Sequence, residues 1–316
     1  MRDSAVGDTL STMSQAPPSI PHEPWAQIRD EVGVIRGIVD AYEAGGPTIE
    51  ADQVNLFKER VHSSAEKIQH ICLGVQMLAS LVGHDLGRDI GDLESAMTTD
   101  VPRTILGCRQ RLWVAERGIG SMRFFVEDEP IVPVSVSLGD FLRQILPYLE
   151  MVFKTAAQQK NQYLPKNGVV LELEGNPQVL MDHDSLATLL VNMARNAGIH
   201  GKANTLYIGD RYFPPLEPWE DGAEAPPDEV VVVKPVVDPG FFTMEIGDDG
   251  RGIPERINIY DIFKFGCSYG HGSGIGLGMA NERLEKMGGF IDSSHNGPYP
   301  RTGANFRITL RTDDTL

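Results

Sequence analysis

The sequence predicts an α+β protein: a dimeric four-helix bundle, made of two helical hairpins, followed by an α/β sandwich. Three observations predict it. Apolar residues recur at alternating spacings of mostly four and three from Val61 to Leu93, and again from Ile105 to Val126. Beyond Val134 helical and strand-like segments alternate. A glycine-rich stretch, Gly270 to Gly278, then opens directly onto an amphipathic helix. A 3.5-residue period sustained over many turns marks packed helices, and a period of two marks a half-buried strand.

The 316 residues leave room for two cores and some unstructured sequence. With 44 acidic against 28 basic residues the net charge is −16 and no basic face stands out, so neither nucleic acid nor an anionic membrane surface is expected as a partner. No apolar run reaches the roughly 18 residues of a membrane span, and Met1 to Pro21 lacks the apolar run of a signal peptide. Cys72, Cys108 and Cys267 are scattered without metal-ligand spacing and read as core residues in a reducing compartment. The expected location is the cytoplasm, with no membrane insertion.

Residues 1–23, rich in Ser, Thr, Pro and Met, read as a disordered tail. An N-terminal helix occupies 24–46, with Trp25, Ile28, Val32, Ile35 and Val39 on one face; Gly45-Gly46-Pro47 ends it. The hairpin spans 51–130. Its first seam, Val61, Ala65, Ile68, Cys72, Val75, Ala79, Val82, Leu86, Ile90 and Leu93, reads as one long helix, broken at Thr98 to Pro102. The second helix starts near Pro102, with Ile105, Cys108, Leu112, Ala115, Ile119, Met122 and Val126 on its seam. Ile71, Leu78, Leu81, Leu106, Trp113 and Phe125 widen the apolar stripe beyond what a lone hairpin covers. A homodimer of two hairpins buries it; the alternative is a monomer in which the first helix is the cover.

The second domain is expected over 134–316. Helices are predicted at Leu138 to Ala157, Ser185 to Ala197 and Ile275 to Met287, and strands at Val169 to Leu173 and near 205–213, 229–237, 241–247 and 304–311. This order suggests one layer of helices on one sheet. Residues 214–228 carry five prolines with Glu217, Glu220, Asp221, Glu224 and Asp228, and read as an exposed acidic loop.

Three motifs carry chemistry. Asn192 and Asn196 lie four apart on a helix, with His200-Gly201 just beyond, so two amides share one face and can ligate a divalent cation or meet phosphate. Asp248-Asp249-Gly250-Arg251-Gly252 follows an apolar strand, placing a carboxylate beside glycines that allow close backbone approach, as recognition of a base amino group requires. Gly272, Gly274 and Gly276 precede a helix, where backbone N–H groups and the helix N-terminus favour phosphate.

Over about residues 134–311 these motifs resemble the ATP-binding domain shared by histidine kinases, gyrase, Hsp90 and MutL. Asn192 and Asn196 are similar to its N box, Asp248 to Gly252 to its G1 box, Ile262 to Gly266 to its F box, and Gly272 to Leu277 to its G2 box. Leu180-Met181-Asp182 is similar to the strand leading into its N-box helix. The resemblance implies that Asn196 ligates Mg²⁺ and Asn192 supports the same cluster. It further implies that Asp248 accepts from the adenine amino group, that Gly250 and Gly252 shape that pocket, that Gly272, Gly274 and Gly276 cradle phosphates, and that His200 lies near them. The long span from Asn196 to Asp248 and the short one from Gly250 to Gly272 depart from the family and imply a small lid.

Members that hydrolyse ATP or phosphorylate serine place Glu where Asn192 stands; a neutral amide there resembles the histidine kinases. His84-Asp85-Leu86-Gly87-Arg88-Asp89-Ile90 is similar to their H box. The resemblance implies a histidine protein kinase that uses Mg-ATP to phosphorylate His84, with Asp85 holding one ring N–H, and passes the group to an Asp of a separate response regulator. Asp89 stands where the family has Pro, and Arg88 where it has Thr or Asn, which puts phosphatase activity in doubt. Gly83, Gly87 and Gly91 form a stripe that suggests either a close approach or a kink. The alternatives are a non-catalytic dimeric adaptor and a serine kinase or ATPase of the same superfamily.

Overall fold

The computed structural model describes residues 22–74, 84–126, 131–161, 164–210, 240–264, 276–294 and 302–313. Four helices come first: α1 (His22–Ala44), α2 (Ala51–Gly74), α3 (His84–Ala96) and α4 (Val101–Val126). Two glycines end α1, the second at φ +98°, a backbone that an L side chain rarely adopts. Asp100 precedes α4 and accepts from the backbone N–H of Arg103, three residues on, as an N-cap does.

The contacts between these helices set their directions. Glu31 of α1 pairs with Lys67 of α2, and Tyr42, nearer the end of α1, meets Phe57, nearer the start of α2. His62 of α2 lies 3.3 Å from Glu94 of α3. In one straight helix those two residues would stand about 48 Å apart. Arg36 bonds Glu116 of α4 at 2.7 Å, and Arg109 reaches back to Glu43. Every adjacent pair is therefore antiparallel, and one chain forms an up-down four-helix bundle.

This corrects the expected helix from Val61 to Leu93, which is two antiparallel helices, with Val75, Ala79 and Val82 outside the described residues. Within one chain, α1 to α4 already pack as four helices, α1 and α2 beside the pair α3 and α4. Heptad spacing records which face is apolar, but a reversal of chain direction leaves that spacing intact. The first helix supplies much of the cover that a second copy was expected to give. Trp25, Ile28, Ile35, Val39 and Tyr42 are buried in one cluster with Val61, Ile68, Cys72, Leu86, Ile90, Leu93, Cys108, Leu112 and Ile119. A Cβ at Gly87 or Gly91 would meet open space, so neither glycine serves a close approach to the described residues of its own chain.

The second half is a helix layer on a seven-stranded sheet, as predicted. In chain order it runs β1 (Val134–Ser137), α5 (Leu138–Asn161), β2 (Gly168–Glu172), β3 (Gln178–Met181), α6 (His183–Asn196), a π turn (Ala197–Gly201), β4 (Thr205–Gly209), β5 (Phe241–Asp248), a 3-10 turn (Asp261–Phe263), α7 (Gly276–Lys286), β6 (Phe290–Ser294) and β7 (Asn305–Thr312). The sheet order is β1-β3-β7-β5-β4-β2, with β6 also on β7. Among the described residues only the β2–β4 pair is parallel. Strands β1 and β6 were not predicted: β1 has four residues and runs straight into α5, and β6 has only Phe290 and Ile291 as apolar signal. The strand expected at 229–237 and the acidic loop at 214–228 lie outside the described residues.

Met244 and Ile246 of β5, Leu206 and Ile208 of β4, and Phe306, Ile308 and Leu310 of β7 share a core with α5, α6 and α7. The bundle sits against this layer. Trp113 of α4 stacks on Tyr148 of α5 at 4.3 Å, Arg117 pairs with Asp184 of α6, and Met279 of α7 is buried with the bundle core. Trp113 is thus partly covered by the second domain. Among the described residues, no helix is long and apolar enough to cross a membrane.

Two measurements check the bundle. Cysteines replacing His62 and Glu94 should be joined within one chain by a short bifunctional thiol reagent, which a continuous helix would forbid. The buried Tyr42 hydroxyl donates to the Thr98 carbonyl at 2.5 Å, receives the Thr98 N–H at 3.0 Å and meets Thr104 Oγ1 at 2.7 Å. Tyr42→Phe should therefore lower urea-unfolding stability by about 1–3 kcal/mol, since it leaves a part-buried donor unmatched.

Candidate nucleotide site

Alternation along β5 explains how one carboxylate comes to lie inside. Residues two apart on a strand share a face, so Asp248 falls on the side of Met244 and Ile246, which looks into the helix layer. It is 4% exposed. Three glycines line its side chain. A Cβ on Gly303 would fall on its Oδ1, one on Gly250 would collide first with the Gly201 carbonyl oxygen and come to 2.7 Å of Oδ1, and one on Gly201 would approach that atom to 3.2 Å. Gly250 N–H donates to Oδ1 at 2.8 Å. Burial pushes this carboxyl up to about 7, helped by the neighbouring charge of Asp249, while the Gly250 and Ala304 amides hold it down.

Asp249 has a different part. It accepts from Asn204 N (2.7 Å), Thr205 N (2.9 Å) and Thr205 Oγ1 (2.9 Å), tying the end of β5 to the start of β4. Arg251 N–H donates to the Gly201 carbonyl at 2.9 Å, which joins the same turn to the end of the π turn. The chain leaves that π turn through Lys202, the one non-glycine residue with positive φ among those described (53°).

These bonds bring the two motifs together. Asp182 caps α6, accepting from Ser185 N at 2.8 Å, and the helix delivers Asn192 and Asn196 to the π turn that touches the Asp248 loop. Both asparagines are half-buried. Asn196 immediately precedes the π turn, yet its side chain caps nothing. Single-turn π elements of this kind are frequent at functional sites. His200 lies on the turn and is exposed; Gly252 follows Asp248 with φ +73°. Phe263 packs edge-to-face on Phe306 at 6.3 Å, anchoring the 3-10 turn to the sheet.

Gly276 is the first residue of α7, while Gly272 and Gly274 lie outside the described residues. His84 and Asp85 are the first two residues of α3, and their side chains lie outside the description. Gly303 escaped the sequence reading, although it contributes as much to the Asp248 pocket as Gly250 does. Its only signal is a glycine just ahead of the last strand.

The arrangement suits a purine nucleotide. A desolvated carboxylate with backbone close around it can accept from an exocyclic amino group. The donor set also fits Mg²⁺, which keeps several waters and takes one or two protein oxygens besides substrate phosphates. Two amide carbonyl oxygens meet that need without a carboxylate cage; the described residues hold no cluster of three His, Cys, Asp or Glu.

Fold and site together define an ATP-binding α/β sandwich. Residues 181–314 match the family profile "Histidine kinase-, DNA gyrase B-, and HSP90-like ATPase". Among solved structures, the chain is similar to a mycobacterial sensor histidine kinase, MprB, at 17% identity and a TM-score of 0.37, over 58% of this chain and 98% of that one. It is similar to the histidine kinase AdeS of Acinetobacter baumannii at 14% identity and 0.39, over 94% and 100%. The histidine kinase domain of a blue-light-activated kinase from Erythrobacter litoralis gives 13% and 0.38, over 90% and 94%. No curated protein matches.

The raised carboxyl makes a pH prediction. Accepting from an amino group requires ionised Asp248, so nucleotide affinity measured by calorimetry should fall as pH drops below about 7, and Asp248→Asn should weaken binding at pH 8 by about tenfold or more. The stability of the nucleotide-free protein should move the other way. The folded carboxyl lies above its ordinary value of 3.8, so its contribution is full below that value and is lost as pH rises through about 7.

Proposed function

We propose that the chain is a histidine protein kinase that binds Mg-ATP, phosphorylates its own His84 and passes the group to an Asp of a separate response regulator. The observation that carries this reading is the glycine-lined Asp248 pocket bonded to the turn that ends the Asn192/Asn196 helix. Asp248 accepts from the adenine amino group. Gly272, Gly274 and Gly276 give their backbone N–H groups to phosphate oxygens, and His200 lies beside them. Mg²⁺ held by Asn196, with Asn192 in support, supplies neutralisation of the phosphate charge. Asn192 has no basic lone pair with which to activate water, which favours a nucleophile that is already neutral and reactive.

His84 is that nucleophile in this reading. Asp85 holds one ring N–H, and the other nitrogen attacks the γ-phosphorus in line. A P–N bond forms as the bond to the β-phosphate bridging oxygen breaks; ADP leaves and the imidazole gives up one proton. The partners are then a receiver domain and, in the cytoplasm, a second copy of the chain. With the bundle closed inside one chain, a second copy is not needed to bury the seam, and sedimentation velocity decides between one copy and two.

A non-catalytic adaptor is the second reading, favoured by one observation: Arg88 and Asp89 depart from the H-box pattern. Incubation with γ-labelled ATP separates the readings. A kinase acquires acid-labile, alkali-stable label that disappears in His84→Gln. An adaptor acquires none, and a serine kinase labels an acid-stable site on another protein.

A further inference from the structure

The ATP-binding domain grips the histidine-bearing helix of its own chain. Arg195, the residue before Asn196 on α6, donates to both carboxylate oxygens of Asp89 on α3, at 2.9 and 3.2 Å. The two side chains are only 12% and 15% exposed, so salt screens this pair far less than a surface one. One turn along α3, Asp92 accepts from Gln159 of α5 at 2.9 Å. The space between the two halves here is small, about 30 Å³, and is lined by Arg88, Asp89 and Asp92 against Met151, Gln159 and Arg195. That volume holds roughly two waters, so this is a seated interface and not a nucleotide cleft.

Register then places the acceptor. His84 and Asp89 lie on the same helix, α3, five residues apart, a little over one turn. His84 precedes Asp89 by about 7.5 Å of helical rise. Arg195 adjoins the amide assigned to the metal. One ion pair thus connects the helix carrying the acceptor to the helix carrying the metal-binding Asn196, without recourse to another molecule.

We infer that phosphoryl transfer to His84 is intramolecular, and that the Asp89–Arg195 pair is the positioning contact that presents the histidine helix to the ATP site of its own chain. The inference rests on the kinase reading above. It also explains why Asp occupies a position where the similar family carries Pro: the carboxylate is needed as Arg195's partner.

Two chains, one His84→Gln and the other Asn196→Asp, are mixed with γ-labelled ATP. Neither should acquire label, and the wild-type labelling rate per molecule should stay constant as protein concentration is varied widely. Label on the Asn196→Asp chain, or a rate per molecule that climbs with concentration, overturns the inference while leaving the kinase reading intact. Wild-type protein that acquires no label at all removes both. Asp89→Arg should slow labelling by about tenfold to a hundredfold with the KM for ATP unchanged, and adding Arg195→Asp should restore most of the loss. Asp89→Asn, which keeps the size of the side chain, should slow labelling in the same direction should the reversed charge prevent folding. An Asp89→Asn protein that binds ATP and labels at the wild-type rate also overturns the inference.

Discussion

Burying one carboxylate is the constraint around which the C-terminal half is arranged. Taking an ionised group out of water is costly unless polar partners replace the solvent. Asp248 has only backbone amides for that purpose, and they reach it because Gly201, Gly250 and Gly303 have no side chain to keep the backbone away. The result is a group poised near neutrality, whose charge a suitable amino donor would stabilise. A Cβ at Gly303 would occupy the carboxylate's own place and one at Gly250 would strike the Gly201 carbonyl, so these glycines are required by sterics more than by any unusual dihedral.

The neighbouring acid shows how the pocket is kept in shape. Asp249 spends its oxygens on Asn204 and Thr205, and Arg251 closes onto Gly201. Those bonds hold the β5 loop against the end of the asparagine helix. Two successive carboxylates therefore differ in part: one is buried among glycine backbones and the other fixes the frame. Perturbed, desolvated carboxyls of this kind cluster at functional sites, and this one lies within the residues that match the family profile.

Between the two halves polar pairs stand beside apolar contacts, with Val114 in the core of the second half and Met279 in that of the bundle. Arg117 meets Asp184, Arg195 meets Asp89 and Gln159 meets Asp92, and Trp113 stacks on Tyr148. Polar contacts specify register and orientation more sharply than apolar ones, because each group left unmatched at the interface carries a penalty. The bundle is thereby aligned on α6 at two places, near its first turn through Asp184 and near its last through Arg195.

Much of this was legible in the residues. Spacings of three and four marked the apolar faces of all four bundle helices, alternation marked β2 and β5, and the order of asparagine, aspartate and glycine motifs marked the nucleotide site. Those signals are local, and local physics enforces them: a side chain's face is set by backbone periodicity, and a close backbone approach needs glycine. What the residues could not reveal is relational. Heptad spacing does not say which way the chain runs, so one expected helix is two and the bundle closes within a single chain. Gly303 joins the pocket only because β7 pairs with β5, and Asp89 finds Arg195 across 106 positions of chain only once both halves have packed. Periodicity determined the faces; three-dimensional packing decided which faces meet, because contacts between distant residues leave no trace in the spacing of either.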